Sequence, residues 1–233
     1  MALVLYERLV QGDRRPSPYC WRARMALAHK GLEAEYRAIK YAEVDQIGFS
    51  GQGKVPVLVD GERVAFDSWA IACYLEDAYP DRPSLFGGAR GRALARFINL
   101  WVDEGLQKAF GPILAPSLYD LVVPEDRDYY RTTREARWGL SFETLRSQRA
   151  ERIKALHQAF APLRGLLAEQ PFICGATPAH GDYLVFGEFQ WARCVDPEDL
   201  VPAEDRDIRA WRARMIALFD GLPNRVPAFA SAA

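Results

Sequence analysis

Residues 53–74, GKVPVLVDGERVAFDSWAIACY, constrain the fold of this chain more than any other stretch. Pro56 stands at the mouth of the alternating apolar run Val55 to Val59. Proline lacks the N–H that a ladder needs, so it belongs at the first residue of a strand or on a sheet edge. Asp60-Gly61 is a pair that closes a tight hairpin, which makes Glu62 to Phe66 the return strand. Asp67-Ser68 then opens an apolar helix over Trp69, Ile71, Ala72 and Leu75. A short polar side chain there can accept from the free amides of the first turn.

The residues before this stretch supply its partners. Ala2 to Glu7 reads as a first strand, and Gln11 to Pro16 as a polar loop. Ser17-Pro18 is a helix-start signal, a capping hydroxyl followed by a residue suited to the first helical position. Trp21, Met25 and Ala28 form the apolar stripe of that helix, and Lys30-Gly31 closes it. Glu33 to Ile39 alternates as a second strand, whereas Tyr41 to Gly53, with three glycines, has no clear period. The order βαβ, irregular segment, ββα predicts a mixed sheet with one right-handed crossover. This is the pattern of a thioredoxin-like unit, in which the X-Pro bond before the third strand is cis and frees the backbone of X to pair with a bound peptide. Val55-Pro56 is therefore expected to be cis.

Pro80-Asp81-Arg82-Pro83 and Gly87-Gly88 mark a boundary, dividing the chain into residues 1–84 and 89–225. Beyond it strand patterns vanish. Arg90 to Phe110 has helical spacing and is expected to end at Gly111-Pro112. Further helical segments span about Asp126 to Lys154, then to Ala168, His180 to Cys194, and Pro202 to Phe219. Five or so helices without a strand predict an all-α second domain. The expected fold is thus an α/β thioredoxin-like N-terminal domain followed by an all-α helical C-terminal domain. The Ala-rich end, Ala228 to Ala233, is expected to fray.

Charge narrows the function classes. The 233 residues carry 30 basic and 31 acidic side chains, a formal net charge of -1. That balance gives no electrostatic reason to expect nucleic acid or an anionic membrane. No signal peptide or bilayer-length apolar run is read. Cys20, Cys73, Cys174 and Cys194 are scattered, as are His29, His157 and His180, so no zinc-type spacing exists and no metal is expected. Reduced thiols in a cytoplasmic protein are the expectation.

Taken together, the thioredoxin-like unit, the Pro-rich connection and the helical domain resemble a cytosolic glutathione transferase across nearly the whole chain. Ser17-Pro18-Tyr19, Val55-Pro56-Val57 and Asp67-Ser68 carry that resemblance. SPYCWR (17–22), DSWAIACYLEDAYPDRPSLF (67–86) and the insertion-like VPEDRDYYRTTRE (123–135) are similar to the β-etherase-like bacterial transferases and their fungal relatives. One departure concerns the buried capping box of this fold's helical domain, where a Ser, Thr or Asn precedes an Asp by three residues. Here the Asp is Asp182 and the capping position holds Ala179, leaving Thr177 or His180 to substitute, or the loss to be tolerated.

The resemblance implies glutathione as co-substrate and assigns roles residue by residue. A thiol with a reference pKa of about 8.5 must become a thiolate to attack. Ser17, at a helix N-terminus, offers both a hydroxyl donor and the helix dipole. The backbone of Val55, before Pro56, would pair with the cysteinyl part. Asp67 and Ser68 would hold the γ-glutamyl end, and Lys54 or Lys40 the glycyl carboxylate. Tyr19, Trp101, Phe110 and Tyr119 are the candidates for the electrophile pocket.

Three readings follow. The first is a transferase adding glutathione to a hydrophobic, aromatic electrophile, with β-aryl ether cleavage as its sharper form. The second is a protein of the same fold that binds glutathione or hydrophobic ligands without turnover, using Ser17 only as a cap. The third is a thiol reductase using Cys20, which keeps the place of the resolving cysteine in the CPYC motif of glutaredoxins. Serine at the attacking position of that motif cannot form the mixed disulfide. A homodimer, the first domain of one subunit facing the second of the other, is implied by the family alone.

Overall fold

The structure, a computed structural model, describes residues 3–229. Ala2, the expected start of the first strand, and residues 230–233 of the Ala-rich end lie outside them. The N-terminal domain contains β1 (Leu3–Arg8), α1 (Pro18–His29), β2 (Ala34–Ile39), β3 (Val57–Asp60), β4 (Arg63–Phe66) and α2 (Ser68–Ala78). The sheet order is β2-β1-β3-β4. β1 runs parallel to β2, from Leu3 opposite Ala34 to Arg8 opposite Ile39. It runs antiparallel to β3, which pairs antiparallel with β4. This is the mixed sheet expected of a βαβ unit joined to a hairpin.

One local detail differs from expectation. The ladder pairs Asp60 with Arg63, so the two turn residues are Gly61-Glu62 rather than Asp60-Gly61. Gly61, at φ +59°, supplies the positive φ that such a loop needs at its first position. Asp60 instead ties the hairpin to α2, accepting from the hydroxyls of Tyr74 at 2.7 Å and Tyr79 at 2.6 Å. The aperiodic segment folds as 3-10 turns over Tyr41–Ser50.

The C-terminal domain is helical: α3 (Ala89–Trp101), α4 (Gln107–Leu121), α5 (Arg127–Trp138), α6 (Phe142–Ser147), α7 (Arg149–Ala159), α8 (Ala161–Leu167), α9 (His180–Val195) and α10 (Arg206–Gly221). The long segment read from Asp126 is broken at Gly139, whose φ of +67° caps α5. The expected stop at Gly111-Pro112 does not occur: α3 continues through a π-helical turn over Val102–Leu106 into α4, which carries Pro112 and Pro116 inside it. A proline within a helix costs about 3 kcal/mol. Burial of Phe110, Ile113 and Leu114 on the same stretch contributes about 1.5–3 kcal/mol each, so packing wins. Gly111 also admits Trp138, whose ring comes within 2.2 Å of where a Cβ would stand.

α9 is the buried spine of the molecule, packed on α1, α3, α4 and α10. Its start lacks a side-chain cap at Ala179, and His180 does not replace one, since both its ring nitrogens are buried without a hydrogen-bond partner among the described residues. Asp182 compensates. Its carboxylate accepts from the amides of Ile173 at 2.7 Å, Cys174 at 3.2 Å and Ala179 at 3.1 Å, and from the Trp211 indole at 2.9 Å. Asp182→Ala strands these donors in a buried site, and each unsatisfied group costs about 1–3 kcal/mol. A fall in the urea midpoint equivalent to roughly 3 kcal/mol is expected; an unchanged midpoint would contradict this account of the helix start.

Candidate functional site

A cleft of about 770 Å³ lies between the N-terminal domain and the helices, and Ser17, Lys54, Val55, Pro56, Asp67 and Ser68 line it together. Residues from three separate segments thus meet on one wall. Ser17 is the N-cap of α1, its Oγ accepting from the Cys20 amide at 3.3 Å. Lying at that helix end, the hydroxyl sits where the dipole and unpaired amides favour an anion. Val55-Pro56 is cis, and Val55 precedes the β3 ladder rather than joining it.

Asp67 is a non-glycine residue at φ +69°, a region that costs roughly 1–3 kcal/mol and persists where the surroundings impose it. Its Oδ1 accepts from the amides of Trp69 and Ala70, both at 3.0 Å. The other oxygen has no protein donor among the described residues. Ser68, buried, is the first residue of α2. Lys40 is not part of this wall: it pairs with Glu125 at 3.2 Å, and Lys54 is the cation beside Val55.

Of the four expected pocket aromatics, the structure brings Tyr19 to the cleft and leaves the others elsewhere. Phe110 is core, its ring centroid 5.4 Å from Phe189 and 5.9 Å from Phe160. Tyr119 packs edge-on against Phe142 at 5.3 Å, and the Trp101 ring lies against Gly105. Helical spacing marked the face these residues share with their own domain, which is what a core stripe does. The helical wall is instead built by Gln107, Tyr130, Arg134, Arg137 and Trp191, with Tyr41 and Arg8 at its margin. Tyr130 and Arg134 fall within 123–135, so that segment was the available signal.

The charges of this wall are held in place. The Arg8 guanidinium donates to the Lys40 carbonyl at 2.5 Å and lies 4.2 Å from the Tyr41 ring centroid. Arg134 lies 4.9 Å over Tyr130, and Arg137 donates to Gln107 Oε1 at 3.0 Å. Behind Tyr19, the fully buried Arg22 bridges Asp103 at 2.8 Å and Glu188 at 3.0 Å. Burial pushes the Glu188 carboxyl up to about 7, with Arg22 pulling the other way. Burial also raises the Tyr19 hydroxyl, with Glu188 adding to it, so Tyr19 is a neutral donor at physiological pH. Among the described residues no three His, Cys, Asp or Glu side chains converge as metal ligands, and no helix is long and apolar enough to cross a membrane. Chemically, one wall suits an extended ligand bearing an anionic sulfur or oxygen, an ammonium group and carboxylates. The other wall presents aromatic rings and guanidinium groups.

Comparison with known proteins places this architecture. Residues 93–219 match the family model described as "Glutathione S-transferase, C-terminal domain", and residues 13–83 match "Glutathione S-transferase, N-terminal domain". A protein of Arabidopsis thaliana named glutathione S-transferase Z2 is 34% identical over 116 residues, 48% of this chain and 52% of its own length. The chain therefore spans about half or less of the length of the curated relatives it matches first. A glutathione S-transferase of Ceriporiopsis subvermispora, solved in complex with glutathione, superposes with a TM-score of 0.82 at 24% identity, covering 97% of this chain and 99% of that one. The beta-etherase LigF of Sphingobium sp. strain SYK-6 gives 0.72 at 21% identity, over 97% and 99%. At these identities the two structures establish the fold.

Cys20 is buried in the first turn of α1, and burial pushes its thiol up to about 12, the Ser17 hydroxyl pulling the other way. A thiol in that state is inert. Iodoacetamide at pH 8 is expected to leave Cys20 unmodified in the native protein and to label it after denaturation, read by peptide mass mapping. Rapid native labelling would mean that this turn opens, which is what a redox role for Cys20 needs.

Proposed function

The chain belongs to the glutathione S-transferase family, and from that premise we propose that it is a transferase in which Ser17 holds the glutathione thiol as thiolate for attack on a hydrophobic, aromatic electrophile. The observation carrying this reading is the opening of Ser17, at the N-terminus of α1, onto the same cleft as Val55-Pro56 and Asp67-Ser68. A hydrogen bond to a charged group contributes roughly 1.5–3 kcal/mol. At about 1.36 kcal/mol per pKa unit, that lowers the thiol by ~1–2 units, close to neutrality.

In this reading the backbone of Val55 pairs with the cysteinyl unit. The free oxygen of Asp67 faces the γ-glutamyl ammonium. The Ser68 hydroxyl and the first amides of α2 face the α-carboxylate. Lys54 takes the glycyl carboxylate. The sulfur forms its bond to an electrophilic carbon, and the leaving group departs with the electron pair of the bond it breaks. In the sharper form the broken bond is an aryl ether C–O, and the phenoxide leaves with that pair and is then protonated by solvent. We place this chemistry in a cytoplasmic homodimer. The exposed Leu94, Phe97 and Leu100 of α3 and Val64 and Phe66 of β4 support an interface between copies. One observation favours the non-catalytic alternative: Ser17 Oγ already accepts from the Cys20 amide, which is all that a plain cap does.

The ultraviolet difference spectrum of bound glutathione against pH separates the two. Wild type is expected to show thiolate near neutral pH, and Ser17→Ala to need a pH about 1–2 units higher. If both variants bind glutathione and titrate alike, Ser17 is a cap and the binding-protein reading replaces this one. If neither binds it, the glutathione assignment fails.

A further inference from the structure

The cleft holds more positive charge than glutathione alone can balance, and the surplus lies on its helical wall. Among the described residues, Arg8, Lys54, Arg134 and Arg137 line it without a carboxylate partner. Asp67 is the lining carboxylate without a cation. The remaining lining charges are paired: Lys108 with Glu104 at 2.5 Å, and Asp103 with Arg22 at 2.8 Å. Glu188 shares the Arg22 guanidinium beneath the cleft, where burial disfavours its charge. Glutathione as thiolate carries two carboxylates, one ammonium and the sulfur charge. With Asp67 set against the ammonium, Ser17 against the sulfur, Ser68 and the α2 amides against the α-carboxylate and Lys54 against the glycyl carboxylate, Arg134 and Arg137 are left unmatched, with Arg8 at their margin.

The unmatched charge has a defined place. Tyr130, Arg134 and Arg137 follow each other at four and three residues along α5, so they share one face of that helix. Of the other cations of α5, Arg131 bridges Glu135 and Glu143, and Arg127 donates to the Val122 carbonyl at 3.2 Å. Arg134 rests on Tyr130 and, at 5.8 Å, on Tyr41, while Arg137 is oriented by Gln107. Guanidinium groups fixed over aromatic rings present flat donor forks at low entropic cost. A wholly apolar electrophile packed here would strip water from both without replacing its hydrogen bonds, which is unfavourable.

We infer that the electrophile is an aromatic compound bearing a carboxylate or an equivalent anionic substituent, recognised by Arg134 and Arg137 while its ring packs on Tyr41 and the exposed Tyr129 beside it. This rests on the transferase reading of the cleft and narrows its substrate class. The same two arginines then select against neutral aromatics of equal size, since a neutral substituent leaves the forks unmatched.

Product-like conjugates test this without turnover. The dissociation constants of glutathione, S-(4-carboxybenzyl)glutathione and S-(4-carbamoylbenzyl)glutathione are measured by isothermal titration calorimetry on the full chain. Wild type is expected to bind the carboxylate conjugate about tenfold more tightly than the carboxamide, the scale of a charge-assisted pair. The ratio should fall to about one in the R134Q/R137Q double variant and be retained only in part in R134K/R137K, which keeps the charge but loses the stacked fork. If glutathione binds but wild type does not distinguish the conjugates, the inference is overturned and the transferase reading stands. A preference that persists in R134Q/R137Q would overturn the assignment to these residues. Absence of binding by glutathione and both conjugates would remove the transferase reading, and this inference with it.

Discussion

The close contact between α1 and α9 is the constraint on which the rest of the molecule depends. Gly187 makes it possible: a Cβ there would stand 2.6 Å from the carbonyl oxygen of Pro18. One turn along, Arg22 reaches from α1 to Glu188 on α9 and to Asp103 on the π-helical turn. The first turn of α1, with Ser17 at its head, is thereby fixed against the helical domain. A buried ion pair of this kind is weak evidence of stability, because desolvation offsets its Coulombic gain. Its clearer consequence is geometric. It sets where the N-terminus of α1 points and how far the helical wall stands from it.

The two walls of the cleft follow different physical logic. The N-terminal wall is made of backbone, helix ends and short polar side chains, groups whose chemistry suits zwitterions and carboxylates. The helical wall is made of side chains on α4, α5 and α9, whose guanidinium and aromatic groups are long and positioned by one another. The strain at Asp67, the bond from the Cys20 amide to Ser17 and the burial of Ser68 belong to a rigid half. The Arg–Tyr stacks belong to a half built from long side chains of α5.

The N-terminal domain was legible because its signals are local. Proline before an alternating run, serine before Pro18, and Asp-Ser before an apolar helix each act within four residues, so period and capping rules find them. The hairpin turn moved by one residue because glycine, not aspartate, takes the positive φ, and Asp60 was drawn to the hydroxyls of Tyr74 and Tyr79. The helical domain was legible in kind but not in detail. Pro112 did not stop its helix, since burial on the same turn outweighs one lost hydrogen bond. Trp101, Phe110 and Tyr119 carry the spacing of a buried face, and spacing cannot say whether that face meets a core or a cavity.

The sequence by itself therefore determined the strand and helix order, the mixed sheet, the capped helix ends, and the identity of Ser17, Val55, Asp67 and Ser68 as neighbours of their own helices and strands. Tertiary structure alone decided that these groups converge on one cleft, that Lys54 rather than Lys40 lies beside them, and that Arg8, Arg134 and Arg137 face them without a carboxylate partner among the described residues. The reason lies in range. Caps, turns and periodicity are interactions between residues a few positions apart, whereas the balance of charge in a cleft depends on which distant side chains have already found partners.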